Sequence, residues 1–246
     1  MLVGLLKTSL VNFPGRVCAA VFLPGCNLRC PYCHNGELAS ASVASGPKAG
    51  HSEGYVTLEE VYAHLERRRG VIGGVTVSGG EPLLSPALDE LIRKAKSLSL
   101  AVKIDTNGTL PDRLAALLSD TARRPDMLAI DVKTSPARYA ELAIEPEAGE
   151  RAGRELTRSL EILREAAMAG TTRVEYRTVL APGLVGEREI REIAGLLHDG
   201  ADWEFAQFSP GNCLDPAWND IASYGPSEAA RLVEIAREYV PGARLR

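Results

Sequence analysis

Histidine is scarce in this sequence, with four in 246 residues, at positions 34, 51, 64 and 198. Spread so thinly, they offer no convincing Ser/His/Asp set, and hydrolase chemistry has little support. A basic excess is missing as well. Twenty-eight Lys and Arg against 32 Asp and Glu leave a net charge of -4. A nucleic-acid-binding module carries a basic stripe, so nucleic acid is not expected as the main partner. The longest uncharged apolar run, Val17 to Leu23, is far short of the ~20 residues a membrane helix needs. Met1 to Lys7 shows neither a basic n-region nor a small-residue cleavage site, so no secretory signal is expected. No G-x-G-x-x-G follows the first strand, and no P-loop is found. Five cysteines, an odd count without a signal, argue for reduced thiols and a cytoplasmic protein. What remains is ordinary globular composition, 45% hydrophobic and 24% charged.

Short β-rich runs alternate with helical stretches from end to end. Strands are expected at Val17–Leu23, Gly74–Ser78, Ala101–Thr106, Met127–Lys133, Arg173–Leu180 and Trp203–Phe208. Helices are expected at Leu58–Arg69, Pro86–Ser99, Asp112–Asp120, Arg154–Ala169, Glu187–His198 and Ser227–Val240. Leu156, Leu160 and Leu163 share one helix face, with charged positions outward. Thr57, Ser85 and Ser227 have the chemistry of N-terminal caps. Six β–α units predict an α/β protein, a single domain over 1–246, with a parallel sheet wound into a partial (β/α)6 barrel open on one side. Two segments break the alternation. Leu38–Gly54 is Ala/Ser/Gly-rich and reads as a mobile loop. Ser209–Pro226 is a long connection that contains Cys213 and Trp218.

Three of the cysteines, Cys26, Cys30 and Cys33, stand in a C-x3-C-x2-C arrangement. A helical stripe could align them, but Pro31 inside that helix would cost ~3 kcal/mol, and Pro24-Gly25 break the chain just before. A structural zinc would need a fourth ligand; His34 adjoins Cys33 too closely and Cys213 is distant. Three thiolates on one tight loop suit a [4Fe–4S] cluster with one iron left open. The loop follows the first expected strand, at the sheet end where β/α barrels build their sites. Gly79-Gly80-Glu81-Pro82 closes the second expected strand, Asp105-Thr106-Asn107-Gly108 the third, and Asp131-Val132-Lys133 the fourth. Glycines at a strand end let a ligand approach the backbone, although a tight turn would use the same residues. Two acidic residues at neighbouring strand ends repel unless something cationic lies between.

On these residues the chain resembles the radical S-adenosylmethionine superfamily. Lys7-Thr8-Ser9-Leu10-Val11-Asn12-Phe13-Pro14-Gly15, with the cysteine loop and His34-Asn35, is similar to the glycyl-radical-enzyme activases. Among them it looks most like the anaerobic ribonucleoside-triphosphate reductase activators, with the pyruvate formate-lyase activator close by. The resemblance implies one [4Fe–4S] cluster on Cys26, Cys30 and Cys33, with S-adenosylmethionine as cofactor. Tyr32, Cys33, His34, Gly79, Gly80, Glu81, Asp131, Lys133 and Arg177 would be its contacts. Tyr32 would lie beside the adenine and Gly79–Glu81 by the methionine amino group. Asp105, Thr106 and Asp131 would hold a monovalent cation. It further implies a glycyl radical enzyme as protein substrate and a flavodoxin or ferredoxin as reductant. Gln207-Phe208-Ser209 departs from the pyruvate formate-lyase activator, which has a cofactor-contacting His there. Cys18 reads as a core residue and Cys213 as a loop cysteine. The rivals are a radical enzyme acting on a small molecule, such as a carboxy-deazaguanine synthase, and a zinc- or iron–sulfur-binding module without catalysis.

Overall fold

A computed structural model of the chain describes residues 1–47 and 54–246, so the last part of the expected 38–54 loop lies mostly outside the described residues. These residues fall into two compact units that interleave along the chain. The first comprises 1–27, 35–106 and 115–128; the second comprises 28–34, 107–114 and 129–246.

The first unit holds strands β1 (Leu2–Ser9) and β2 (Cys18–Leu23), helix α1 (Gly36–Ser40), β3 (Tyr55–Thr57), α2 (Leu58–Arg68), β4 (Gly74–Gly79), α3 (Leu88–Ser97) and β5 (Ala101–Thr106). Its strand order is β3-β1-β2-β4-β5. The last three strands are parallel, with Leu23 opposite Gly79 and Val77 opposite Ile104. The expected strands and helices appear here within a few residues. β1 and β3 were not expected, and both pair antiparallel at the edge. The expected loop from Leu38 instead begins inside α1, where Leu38 and Ala39 are buried. Five residues are too few to show a helical period, which is why composition alone reads as loop there. Thr57 caps α2 in a full capping box with Glu60. Cys18 lies in the core with Phe13 and Met127, as expected.

Helix α4 (Pro111–Ser119) and strand β6 (Met127–Asp131) run across the division between the units. The second unit continues with α5 (Pro146–Met168), β7 (Arg173–Leu180), α6 (Glu187–Ala194), β8 (Trp203–Gln207), α7 (Pro226–Arg237) and β9 (Arg244–Leu245). The order is β6-β7-β8-β9, and β7, β8 and β9 are parallel. Leu156, Leu160 and Leu163 are buried on one face of α5, as their spacing required. Helix α5 starts two turns earlier than expected. Ser227 is not a cap: α7 begins at Pro226, with Gly225 before it. Proline at the first helical position takes over the start that a serine would otherwise mark. The connection between β8 and α7 contains one 3₁₀ turn, Pro216–Asp220. No helix among the described residues is long and apolar enough to cross a membrane.

Candidate active site

In the first unit, the end of β4 fixes the chain as it enters the cysteine loop. Gly80 N–H donates to Leu23 O (2.9 Å) and Glu81 N–H to Gly25 O (2.8 Å). Gly79 has φ +124°, and a Cβ there would collide with the Leu23 backbone; a Cβ on Gly80 would collide with the Gly25 carbonyl. Both glycines are therefore demanded by backbone-to-backbone approach. On the other side, Gly25 and Cys26 N–H donate to Leu38 and Ala39 carbonyls of α1, at 2.9 and 3.0 Å. Glu81 is fully buried. Its Oε1 accepts from Leu83 N–H (3.0 Å) and from Thr106 Oγ1 (2.8 Å). Asp105 is paired with the buried Lys103 ammonium. Lys103, which is buried, was not among the expected site residues.

In the second unit, Cys33 N–H donates to Cys30 O (3.0 Å), closing the C-x2-C turn, and Arg29 N–H donates to Leu142 O (2.7 Å). Tyr32 is buried, and its hydroxyl has no hydrogen-bond partner among the described residues. Its ring centroid lies 5.7 Å from Trp218 and 6.5 Å from Phe208. Burial and the neighbouring Cys30 sulfur hold its phenol well above the ordinary value, against the pull of Lys133. His34 Nε2 is 2.9 Å from Ser209 O, so the imidazole is engaged with the connection after β8.

Asp131 ends β6 between two cations of the same unit, Lys133 Nζ at 2.9 Å and Arg177 Nε at 2.7 Å. Burial disfavours its charge, but Arg177 and Lys133 outweigh it and keep the carboxyl far below the ordinary range. Burial likewise disfavours the Lys133 ammonium, yet Asp131, with Tyr32 and Cys30 behind it, holds it well above the usual lysine value. Lys133 N–H also donates to Tyr139 Oη (3.1 Å). Asp131, Lys133 and Arg177 line one cavity of about 220 Å³ with Glu204, Phe205 and Arg246. Arg177, expected as a cofactor contact, is paired here with Asp131. Glu204 and Arg246 are additions that strand and chain-end positions did not mark. The electrostatic case for a monovalent cation loses its force here, since Asp105 and Asp131 each already face a side-chain cation in their own unit.

All five cysteines are free thiols. Cys26 belongs to the first unit, Cys30 and Cys33 to the second. Among the described residues no three His, Cys, Asp or Glu side chains are gathered around a ready metal position. Thiolates repel until an ion neutralises them, and such sites are commonly completed by the metal itself. The donor set, soft and closely spaced, still fits an iron–sulfur cluster. The Tyr32 hydroxyl adds a buried donor with no acceptor among the described residues.

Residues 20–197 match the Radical SAM superfamily. Over 244 residues the chain is 30% identical to the "Putative glycyl-radical enzyme activating enzyme MJ1227" of Methanocaldococcus jannaschii, covering 99% of this chain and 94% of that protein. A 7-carboxy-7-deazaguanine synthase of Methanopyrus kandleri is 38% identical over 135 residues, 50% of this chain and 51% of the synthase. Among solved structures, Streptococcus suis SuiB bound to S-adenosylmethionine aligns with a TM-score of 0.60 and 14% identity, over 92% of this chain and 51% of SuiB. That likeness concerns the fold alone. The chain spans about half the length of the synthase and of SuiB. The expected fold class stands: a mixed α/β chain with a mostly parallel, open sheet.

Proposed function

Because the chain belongs to the Radical SAM superfamily, we propose that it is an activase that leaves a glycyl radical on a partner enzyme, anaerobic ribonucleoside-triphosphate reductase. The observation that carries this reading is the end-to-end similarity to the Methanocaldococcus protein. The Lys7–Gly15 segment, with the cysteine loop and His34-Asn35, resembles the activases, and resemblance to the reductase activators among them supports the reductase as partner. Membership of the superfamily implies a [4Fe–4S] cluster and S-adenosylmethionine. When bound, they supply reductive cleavage of S-adenosylmethionine to methionine and a 5′-deoxyadenosyl radical, the species that takes a hydrogen atom from the partner's glycine.

The protein's own part is to bind, orient and exclude water. Cys26, Cys30 and Cys33 would hold three irons and leave the fourth open. Tyr32 would lie along the adenine, its free hydroxyl donating to it, while Cys33 and His34 shape the loop. Gly79, Gly80 and Glu81 would border the methionine amino group, with Glu81 acting from inside through the turn that it caps. Lys133 and Arg177, held by Asp131, would present cations to the carboxylate. A monovalent cation at Asp105, Thr106 or Asp131 would compete with the ammonium and guanidinium groups already there. A flavodoxin or ferredoxin would supply the electron, in a reducing, cytoplasmic setting where the thiols stay free.

The test is anaerobic. Reconstituted protein, dithionite, S-adenosylmethionine and the reductase should give a glycyl radical signal by electron paramagnetic resonance, with 5′-deoxyadenosine formed. Zinc in place of iron, or no 5′-deoxyadenosine, would overturn the reading. The half-chain similarity to the deazaguanine synthase favours one second reading, a radical reaction on a free small molecule. Turnover of such a molecule without any partner protein would select it.

A further inference from the structure

The connection after β8 would ordinarily be loose, as long surface loops are. Here it is tied three times to the cysteine loop, all within the second unit. Asp215 N–H donates to Pro31 O at 2.9 Å. Ser209 O meets the His34 imidazole at 2.9 Å. Trp218 sits 5.7 Å from the Tyr32 ring centroid and also 5.7 Å from Phe208, nearly perpendicular to the latter. The connection has its own local order. Asp215 Oδ1 accepts from Ala217 N–H and Asn219 Oδ1 from Cys213 N–H, each at 3.0 Å, and Ser223 Oγ donates to Phe208 O at 2.7 Å. Residues 28–34 group with the second unit although the chain on either side groups with the first.

We infer that Trp218 is a positioning residue for the cluster loop: seated on Tyr32, it holds the Cys30–Cys33 turn in the shape that ligates iron. Tyr32 stands between the two cysteines, and it keeps only 7% of its surface exposed while Trp218, itself half-buried, covers it. Removing the indole opens one face of Tyr32 to water and leaves the turn with fewer constraints. Groups that orient metal ligands typically matter 10–100-fold to metal affinity when lost. The inference rests on the reading that this loop carries the cluster, and the experiment separates the two.

Wild type, Trp218→Ala, Trp218→Phe and Trp203→Phe are reconstituted anaerobically. Trp203 is a core residue whose indole N–H donates to Thr178 Oγ1, and its variant controls for general destabilisation. Iron per chain, the rate of iron loss to a ferrous chelator, the resonance spectrum of the reduced cluster with and without S-adenosylmethionine, and the urea midpoint are measured. Trp218→Ala should lose iron roughly 10-fold faster, or more, and alter the spectrum, with Trp218→Phe restoring both. Trp203→Phe should lower the midpoint and leave iron loss unchanged. Should Trp218→Ala not fold, Trp218→Leu, which keeps bulk without a ring face, takes its place. Wild type without iron would overturn the reading of the loop. Wild type with iron, and Trp218 variants indistinguishable from it, would overturn the inference, as would Trp218→Ala and Trp203→Phe both losing iron in proportion to their lowered midpoints.

Discussion

A side chain at Gly79 would have to enter the backbone of Leu23, in a conformation with φ +124° that L residues avoid. Gly79→Ala should therefore destabilise the protein by about 3 kcal/mol or more, read as a lowered urea midpoint, whether or not any cofactor is present. A Gly79→Ala protein as stable as wild type would remove the packing role. Asp131 makes a different kind of prediction. Its folded carboxyl titrates below the unfolded value near ~4, so at acidic pH the native state binds fewer protons than the unfolded chain. Its contribution is full above that unfolded value and fades as pH falls through the depressed one. Asp131→Asn should thus be less stable at neutral pH and lose less of its urea midpoint below about pH 4 than wild type. At this scale the sequence was informative where chemistry is carried by residue type. Cys26, Cys30 and Cys33 stood out because thiol spacing is visible in one dimension, whereas Asp131, Lys133 and Arg177 were singled out through the family resemblance, and their mutual pairing was not foreseen. Trp218 and Phe208 were not, because their role depends on a long connection returning to Tyr32, and nothing local encodes that return. Aromatics at 5% of the chain, with Phe208 just before the long connection and Trp218 inside it, were the available signal.

At the scale of elements, periodicity succeeded where an element buries one face and failed where neighbours set the rule. Helix α5 was read from Arg154 because Gly149 and Gly153 lower helix propensity by about 1 kcal/mol each. The structure starts it at Pro146, since both glycines let the helix lie directly on the 3₁₀ segment 136–142. A Cβ at Gly153 would collide with the Pro136 carbonyl, and one at Gly149 with the Tyr139 carbonyl. Propensity and packing therefore predict opposite signs for Gly153→Ala. Packing should win, because the obstacle is backbone and cannot turn aside, and the variant should unfold at lower urea by about 1–3 kcal/mol. Thr57→Ala tests the opposite case, a feature legible in four residues. Losing its side of the capping box with Glu60 should cost about 1 kcal/mol in the same measurement. Strands β1, β3 and β9 escaped the reading for another reason. β3 and β9 have three and two residues, too short for alternation to register, and β1 has three consecutive exposed positions, Leu6 to Thr8.

For the whole molecule the deciding quantity is linkage between ligand and stability. Anything that binds the folded chain but not the unfolded one stabilises it, by about 2.7 kcal/mol at a ligand concentration 100 times Kd. In a chain of this length 1 kcal/mol moves Tm by about 2–4 °C, so saturating S-adenosylmethionine should raise the Tm of the reconstituted protein by roughly 5–10 °C. Chelating the iron first should abolish most of that rise, because the open iron and the cofactor are then no longer joined. Single Cys26→Ala, Cys30→Ala and Cys33→Ala variants should hold little iron and show little rise. Cys18 is the contrasting thiol, since it is fully buried, accepts from Thr76 Oγ1 at 3.8 Å, and packs on Phe13. Cys18→Ala should start from a lower Tm, through the cavity it leaves, and keep both its iron and the full rise. The two classes of cysteine are thereby separated by one calorimetric series: the loop thiols act on the ligand-dependent part of stability, the core thiol on the ligand-independent part. A loop variant that retained iron and the full rise would remove that cysteine from the ligand set, and an equal loss of both in Cys18→Ala would dissolve the distinction.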